Sequence, residues 1–266
     1  MVDAVNSEHL LAVAEEVARE AGALARQRRD EGVRIAATKS TLADIVTEAD
    51  REVETLVRER LAQARPGDGF LGEEGGSAHS ETGVTWVVDP IDGTVNYAYG
   101  SPHYAVSIAA VTGEPDPERW VAHAGVVFTP VVGELFRASR GGGAWLGDHR
   151  LAVATPGDAG ALIATGFGYD PATHAGDLER VRSAMTIARD LRRGGAASLD
   201  LAYVAAGRLD GYFERGLHPW DHAAGGLLVT EAGGVLGGSP GGTPGREMTI
   251  AAGPDLFPVL RATIFP

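Results

Sequence analysis

The stretch that most constrains this chain lies at residues 86–96, where a short apolar run meets two aspartates in the sequence WVVDPIDGTVN. Residues 86–88 are aromatic or β-branched, which predicts the end of a buried strand. Pro90 has no N–H for a ladder hydrogen bond, so we expect the strand to stop there. Asp89 would then stand at the carboxyl edge of the strand, where ligands of α/β proteins usually bind.

A second aspartate, Asp92, follows in the same predicted turn and precedes Gly93 and Thr94. Two carboxylates this close repel each other unless protons or cations neutralise them, and a hard cation with oxygen ligands is the expected partner. Gly93 lets backbone approach a ligand, and the Thr94 hydroxyl and nearby amides can face an anion at a helix start. The stretch predicts metal-assisted phosphate chemistry, with a plain surface turn as the alternative for its DPIDG portion alone.

Two further stretches contain acids in similar settings. Residues 71–76, LGEEGG, place paired acids after a short apolar run, and residues 218–225, HPWDHAAG, place an acid at a predicted helix start. Together the three stretches resemble the inositol monophosphatase family of Mg²⁺-dependent, lithium-sensitive phosphatases, in which similar patterns occur in the same order. The resemblance covers nearly the whole chain. It implies a layered αβαβα sugar-phosphatase fold, with an α+β amino-terminal half and an α/β carboxy-terminal half.

The composition excludes several other classes of protein. The chain has 266 residues, of which 44% are hydrophobic and none is Cys. This length can bury a stable core, and the lack of Cys rules out disulfides, thiolate metal sites and a cysteine nucleophile. The formal net charge of −13 disfavours nucleic acid as the main ligand. No apolar run reaches the roughly 18 residues of a membrane span, and the charged amino terminus lacks a signal-peptide core, so we expect a cytoplasmic protein with no membrane partner.

Hydrophobic periodicity outlines the secondary structure. Helices are predicted at residues 7–28, 177–189, 198–206 and 223–232, and another opens at residues 47–50. Strands are predicted at 104–111, 120–128, 134–138, 161–165 and 211–214, and a glycine-rich loop at 237–245. A change of composition at residues 147–160 indicates a boundary between domains 1–149 and 150–266. The first domain would carry most metal ligands, and the second the substrate contacts and one metal ligand.

The resemblance implies two or three Mg²⁺ ions held by acids from separate loops. Mg²⁺ prefers a few carboxylates and keeps several waters. The expected ligands are carboxylates and one backbone carbonyl: Glu73, Asp89, the Ile91 carbonyl, Asp92 and Asp221. By the same resemblance Asp89 would bridge two ions, Glu73 would share a looser third, and Glu74 would orient or polarise water. Asp221 is also explained by its place at a helix start, where the helix dipole favours an acid.

Asp50 has two interpretations. It stands three residues after Thr47, a suitable N-cap, and a capping-box acid at this spacing would serve only to stabilise the helix. The residues alone favour that structural role. The resemblance instead pairs Asp50 with Thr94 to draw a proton from the nucleophilic water.

Lys39 also has two interpretations. The residues alone indicate a solvated surface amine, and the resemblance indicates a loop residue near the metal site.

The resemblance also implies substrate contacts, which are expected from Gly93, Thr94, Gly195, Ala197, Glu214 and Asp221. Glu214 would accept a hydrogen bond from a substrate hydroxyl, although a solvated strand end explains it equally well. One position departs from the family pattern, since many relatives carry Ser or Thr where this chain has Ala196. A polar contact near the polyol is therefore missing. The chemistry at the phosphate is better defined than the identity of the alcohol.

These patterns predict a Mg²⁺-dependent phosphatase of a small phosphate monoester, with inositol monophosphate as the expected substrate and a homodimer as the expected assembly. Histidinol phosphate and a 3′-phosphoadenosine nucleotide are the alternative substrates. A non-catalytic regulatory protein on the same fold is the alternative from a different class. A serine hydrolase is rejected, because residues 237–241 match G-x-S-x-G without a helix after the serine. The absence of Gly-Lys-Ser/Thr and His-Glu-x-x-His sequences excludes P-loop and zincin proteins.

Overall fold

Two sheets and the helices that cover them make up the layers of this protein. The structure, a computed structural model, describes residues 6–38, 45–158 and 160–266, so Lys39 lies outside the described residues. The elements of the first half are α1 (Ser7–Glu31), β1 (Ile35–Thr38), β2 (Ile45–Thr47), α2 (Glu48–Ala64), β3 (Gly69–Gly72), β4 (Gly76–Ala78), β5 (Val84–Asp92), α3 (Thr94–Ala98), β6 (Ala105–Thr112), β7 (Val121–Thr129), β8 (Glu134–Ser139), β9 (Gly143–Leu146) and β10 (His149–Arg150). Those of the second half are β11 (Ala161–Thr165), α4 (His174–Ala184), β12 (Ala188–Arg192), α5 (Ala197–Ala205), β13 (Gly211–Glu214), α6 (Pro219–Glu231), β14 (Val235–Gly237), β15 (Thr249–Ala252) and α7 (Leu256–Ile264), with a 3₁₀ turn at Pro171–Thr173.

The two main sheets differ in their strand directions. The first has eight strands in the order β10-β9-β8-β7-β6-β5-β3-β4, and all its pairs are antiparallel except β3 with β5. The second has five strands in the order β12-β11-β13-β15-β14, in which β12, β11 and β13 are parallel and β15 and β14 are antiparallel to their neighbours. β1 and β2 form a separate small antiparallel pair.

Helices α1 and α2 cover the outer face of the first sheet. Asn6 caps α1 by accepting a hydrogen bond from the His9 amide at 3.1 Å. A stripe of buried small and branched residues then faces the sheet, because their spacing matches the helical period. Gly22 lies where a Cβ atom would fall 2.5 Å from the Phe128 ring, so the glycine allows the helix to approach β7 closely. Thr47 caps α2 as the sequence predicts.

Helices α5 and α6 form the layer between the two sheets. One hydrophobic cluster joins Val127 of the first sheet, Leu201 and Leu228 of these helices, and Tyr212 of the second sheet. A Cβ atom at Gly125 would lie 3.1 Å from the backbone of α6, so β7 and this helix also pack closely. Helices α4 and α7 cover the far face of the second sheet and share a third cluster with it. The result is the αβαβα order of layers that the resemblance implies.

Pro90 does not end its strand, and this prediction was wrong. β5 continues through Pro90 to Asp92. The reason is a change of register, because Asp89 pairs with Ser107 while Asp92 pairs with Ala105, which leaves one extra residue on β5. Such a bulge accommodates a proline, since the bulged residue needs no ladder hydrogen bond. The chain turns only at Gly93, whose φ is 92°.

The helix predicted at residues 177–189 was also placed too far along the chain. The helix α4 ends at Ala184, and residues 188–192 form the edge strand β12, which pairs with β11. Only one edge of this strand is paired and its side chains are largely exposed, so its sequence ARDLR lacks the apolar alternation that marks a strand. The sequence analysis also missed β14, β15 and α7, which flank or follow the glycine-rich loop.

The proposed domain boundary at residues 149 and 150 stays a prediction. The first sheet ends with β10 at Arg150 and the second begins at Ala161. Between them, α5 and α6 belong to a single hydrophobic cluster that includes residues of both sheets. No helix among the described ranges is long and apolar enough to cross a bilayer.

Candidate active site

A cavity of about 670 Å³ opens where strand ends of both sheets meet the start of α6. Most positions that the sequence singles out line it: Glu73, Asp89, Ile91, Asp92, Gly93, Thr94, Gly195, Ala197, Glu214 and Asp221. Asp50 and Glu74 do not line the cavity, and Asp50 reaches it through Thr94. The fold therefore brings ten predicted residues, from five separate segments of the chain, to a single space.

Register explains why the acids of the first half lie together. Strands β3 and β5 are parallel, and Gly72 pairs with Val88. The residues that follow this pair, Glu73 and Asp89, therefore stand side by side at the carboxyl edge of the sheet. The bulge in β5 adds Asp92 to the same edge. This is the edge at which open α/β sheets bind ligands.

Asp89 is buried, and its Oδ1 atom accepts a hydrogen bond from the Ile91 amide at 3.1 Å. Burial raises its pKa well above the usual value, and the charges of Glu73, Asp92 and Asp221 raise it further. Carboxylates that raise one another's pKa in this way attract cations, because a bound cation offsets the repulsion between their charges. These oxygens are of the kind that a hard cation binds.

Asp92 connects the two halves of the chain. Its Oδ1 accepts a hydrogen bond from the Ala197 amide at 3.1 Å, and its Oδ2 accepts from the Ser198 amide at 2.7 Å and the Ser198 hydroxyl at 2.5 Å. Burial still raises its pKa, although these bonds oppose the rise. Ala197, a predicted substrate contact, lines the cavity and also donates its amide hydrogen bond to Asp92. Ser198 was missed by the sequence analysis.

Asp221 occupies the third position of α6. Its Oδ2 accepts a hydrogen bond from the His218 amide at 2.7 Å, which closes a capping box at the helix start. Burial within the cavity wall raises its pKa well above the usual value, as do the charges of Asp92 and Glu73. The capping role and the predicted ligand role are compatible, since a carboxylate has lone pairs left after one hydrogen bond.

Asp50 shows both of the arrangements that the sequence left open. Its Oδ2 accepts hydrogen bonds from the Thr47 amide at 2.8 Å and from the Thr47 hydroxyl, so the capping box is present. Its Oδ1 lies 3.1 Å from the Thr94 hydroxyl, which is also 3.1 Å from the Ile91 carbonyl oxygen. Burial raises the pKa of Asp50 to about 6, helped by the charge of Glu74 and opposed by the Thr47 and Thr94 hydrogen bonds.

Asn96, the last residue of the central motif, was given no role by the sequence analysis. Its Nδ2 donates to the His103 carbonyl at 2.7 Å and to the Gly194 carbonyl at 2.9 Å. The loop that carries Gly195 is thereby held against Gly93, where an added Cβ would lie 3.1 Å from the Gly195 oxygen. A glycine with φ of 92° fits this place because it has neither the clash nor the strain of a side chain.

Glu214 is half-buried at the end of β13. Its Oε2 accepts a hydrogen bond from the Tyr212 hydroxyl at 2.6 Å. Gly166 leaves room for the carboxylate, because a Cβ atom there would overlap it at 1.9 Å. Burial raises the pKa of Glu214 to about 7, and the Tyr212 hydrogen bond and the Arg193 charge oppose this rise. The carboxyl group is therefore fixed in direction and can exchange a proton near neutral pH.

The donor set fits a hard cation such as Mg²⁺. It consists only of carboxylate and carbonyl oxygens, which this ion prefers. Burial raises the pKa of Asp89 and Asp221 most, and neighbouring carboxylate charges raise it further, a repulsion that a bound cation would offset. Within the described ranges, however, no three Asp, Glu or His side chains are already arranged as a formed metal centre. Several of the oxygens are instead engaged by amide and hydroxyl donors.

Comparison with known proteins places this chain in a family. The model of the inositol monophosphatase family matches residues 6–256. A Mycobacterium tuberculosis protein named inositol-1-monophosphatase SuhB is 42% identical over 96% of this chain and 93% of its own length. A Vibrio cholerae protein named Nus factor SuhB is 38% identical over 88% and 86%. The crystal structure of the extragenic suppressor protein SuhB from Bartonella henselae superposes with a TM-score of 0.88 at 35% identity, covering 96% of this chain and 98% of that one.

The raised pKa of Glu214 predicts a pH dependence of stability. A carboxyl group whose pKa rises from 4.5 to about 7 on folding binds its proton more tightly in the folded state. The stability that it contributes is therefore lost as pH rises through this window. In metal-free protein, the Tm should fall between about pH 5 and about pH 8, and Glu214→Gln should reduce that fall.

Melting curves across this pH range check the prediction. Glu179→Gln, at an exposed position of α4, is the control and should leave the slope unchanged. Parallel slopes for Glu214→Gln and the unmodified protein would contradict the raised pKa.

Proposed function

The chain belongs to the inositol monophosphatase family, and we propose that it acts as a Mg²⁺-dependent phosphatase of a small phosphate monoester, with inositol monophosphate as the expected substrate. The observation that carries this proposal is the hydrogen bond from Thr94 to Asp50 beside the buried carboxylate Asp89. A binding protein would have no need of a buried acid linked through a hydroxyl to a cluster of mutually repelling carboxylates. Such an arrangement can take a proton from a water that attacks phosphorus.

The metal ligands in this proposal are those expected from the sequence: Glu73, Asp89, the Ile91 carbonyl, Asp92 and Asp221. When bound, Mg²⁺ would lower the pKa of a water and neutralise charge on the phosphate. Asp89 and Asp221 are held in direction by the Ile91 and His218 amides, so they present fixed oxygens to the cavity. Glu74 raises the pKa of Asp50 through its charge and is proposed to assist there rather than to bind metal.

The proposed proton acceptor is Asp50, acting through Thr94. The attacking water forms a bond from its oxygen to phosphorus, and the water proton passes by way of the Thr94 hydroxyl to Asp50. The ester P–O bond breaks, and the leaving oxygen takes up a proton from solvent water to form the alcohol. A pKa of about 6 suits this task, since a general base works best when its pKa lies near the working pH. The Thr47 hydrogen bonds keep the carboxylate from rotating away. The proposed substrate contacts all line the cavity: Gly93, Thr94, Gly195, Ala197, Glu214 and Asp221.

A regulatory role is the second candidate, and one observation favours it. The Vibrio cholerae relative is named a Nus factor, so a similar chain carries a name that is not that of an enzyme. A phosphate-release panel across inositol phosphates, histidinol phosphate and 3′-phosphoadenosine nucleotides, with and without Mg²⁺, separates the two. If phosphate is released from none of these compounds in the presence of Mg²⁺, the regulatory role is the one that remains.

Lithium sensitivity and a cytoplasmic location stay expectations.

The homodimer expected from the resemblance is part of the same proposal. Light scattering at micromolar concentration should give twice the monomer mass. A mass of 27.6 kDa would contradict it.

Metal dependence gives the first test of mechanism. Activity should vanish with EDTA and return with Mg²⁺. Asp89→Asn should be the most harmful single change and should lower kcat/KM by about 10²-fold or more, because several kcal/mol of charge stabilisation would be lost. Asp148→Asn, at an exposed position, is the matched control. Full activity of Asp89→Asn, or of the metal-free protein, would end the proposal of a bridging carboxylate.

A second test separates catalysis from helix capping. Thr94→Ala and Asp50→Asn should lower kcat by roughly 10²–10⁴, the usual contribution of a positioned general base, and should change KM much less. Thr47→Ala is the matched variant, because it removes the Thr47 hydroxyl from the cap. It keeps the hydrogen bond from the Thr47 amide to Asp50 and the contact between Thr94 and Asp50. It should cost about 1 kcal/mol of stability and retain most of kcat.

The measurements are kcat and a melting curve for all three variants. If Asp50 serves only as a cap, Asp50→Asn will behave like Thr47→Ala, less stable but fully active. That result would remove Asp50 from the mechanism.

A further inference from the structure

A buried carboxylate that the proposed mechanism leaves unused lies against the turn that carries Glu73 and Glu74. Glu54 stands in the second turn of α2, four residues after Asp50, and only 3% of its surface is exposed. Burial of a carboxylate is costly unless the group is hydrogen-bonded or paired. The partners of Glu54 therefore indicate what its burial achieves.

The carboxylate of Glu54 anchors the middle of this turn. Its Oε2 atom accepts a hydrogen bond from the Glu74 amide at 2.7 Å. That amide belongs to the peptide group that joins Glu73 to Glu74. The position of this peptide group sets where both acidic side chains begin, so a single bond from α2 fixes the backbone of the two acids.

Glycines on either side of the two acids allow the carboxylate to approach the turn. A Cβ atom at Gly72 would lie 2.5 Å from the Glu54 Oε2 atom, and one at Gly75 would lie 2.4 Å from its Oε1 atom. A side chain at either position would therefore push the carboxylate out of its place. The two glycines of the GEEG sequence at residues 72–75 leave the room that Glu54 occupies.

Arg58, one helical turn further along α2, holds the flanks of the same turn. Its Nη2 atom lies 3.6 Å from the Glu54 Oε1 atom and donates to the Gly76 carbonyl at 3.2 Å. Its guanidinium also lies over the Phe70 ring of β3, 4.0 Å from the ring centre. Arg58 therefore contacts the chain before and after the two acids, and it pairs with the carboxylate between them.

One face of α2 thus serves two parts of the proposed site. Asp50, Glu54 and Arg58 are spaced by four residues, so their side chains lie along one side of the helix. Asp50 reaches Thr94, and Glu54 reaches Glu74. Burial raises the pKa of Asp50 and the charge of Glu74 raises it further, so these two carboxylates act on each other. The helix ties the proposed base to the neighbouring turn of acids.

We propose that Glu54 is a positioning residue, which holds Glu73 in place for Mg²⁺ and Glu74 in place beside Asp50. This inference rests on the proposed phosphatase function. A residue that hydrogen-bonds behind a metal ligand fixes the direction of that ligand, and its loss weakens metal binding by about 10- to 100-fold. A role in stability alone would instead lower the Tm and leave the affinity of the folded protein for Mg²⁺ unchanged.

Mg²⁺ binding, measured by calorimetric titration without substrate, tests the proposal. In Glu54→Ala the dissociation constant for Mg²⁺ should rise by about tenfold or more, because the turn loses its anchor. Glu54→Gln removes the charge but keeps a carbonyl oxygen that can accept from the Glu74 amide, so it should keep most of the affinity. Glu59→Ala, at an exposed position of the same helix, is the control and should bind Mg²⁺ like the unmodified protein.

Hydrogen exchange in the metal-free protein gives a second readout. The amides of residues 72–76 should exchange faster in Glu54→Ala than in the unmodified protein or in Glu59→Ala, because the Glu74 amide loses its acceptor. Glu54→Asp keeps the charge on a shorter side chain and should shift both readouts in the same direction, so it serves if the alanine variant does not fold.

The results separate this inference from the phosphatase proposal. Mg²⁺ affinity that falls in Glu54→Ala and is kept in Glu54→Gln supports the positioning role, even if the unmodified protein releases no phosphate. Unchanged Mg²⁺ affinity in the folded Glu54→Ala and Glu54→Asp variants overturns it, whatever their Tm. An equal loss of affinity in Glu54→Ala and Glu54→Gln also overturns it, because charge alone would then be responsible. Either of these last two results leaves the phosphatase proposal intact.

Discussion

One buried carboxylate, that of Asp92, joins the two halves of this protein through hydrogen bonds. Asp92 accepts three hydrogen bonds from the second half, two from the amides of Ala197 and Ser198 and one from the Ser198 hydroxyl. A buried charge is costly unless it is hydrogen-bonded, so these donors hold α5 at the edge of the first sheet. An acid expected only to bind metal therefore also links the end of β5 to the start of α5. The proposed metal site and the contact between the halves depend on the same side chain.

The carboxylates of the cavity have a further effect on the fold around them. Burial raises the pKa of Asp89 and Asp221, and each charge raises the pKa of the others. Such a cluster opposes folding when no cation is present, because the folded state brings like charges together. The dense apolar layer of α5 and α6 offsets this cost, since its residues are almost completely buried between two sheets. The site is possible because the layers around it are well packed.

Local spacing made part of this site predictable from the sequence. The motif at residues 86–96 places Asp89, Asp92 and Thr94 next to a buried strand, and all of them line the cavity. Contacts across the chain could not be predicted in this way. Ser198 and Asn96 resemble any other polar residues, and their partners lie 106 and 98 residues away. The strand at residues 188–192 was missed because an edge strand with exposed side chains has no apolar alternation to detect.

The bulge in β5 explains why the two aspartates of the motif are three residues apart. Side chains alternate between the faces of a strand, so residues separated by an odd number point to opposite sides. One extra residue between Asp89 and Asp92 restores the same side, and both carboxylates line the cavity. The motif therefore depends on the number of residues between its two aspartates as well as on its residue types. Insertion or deletion of one residue here would turn one acid toward the apolar core. Substitutions at the surrounding positions would not change the side of the strand that the two acids face.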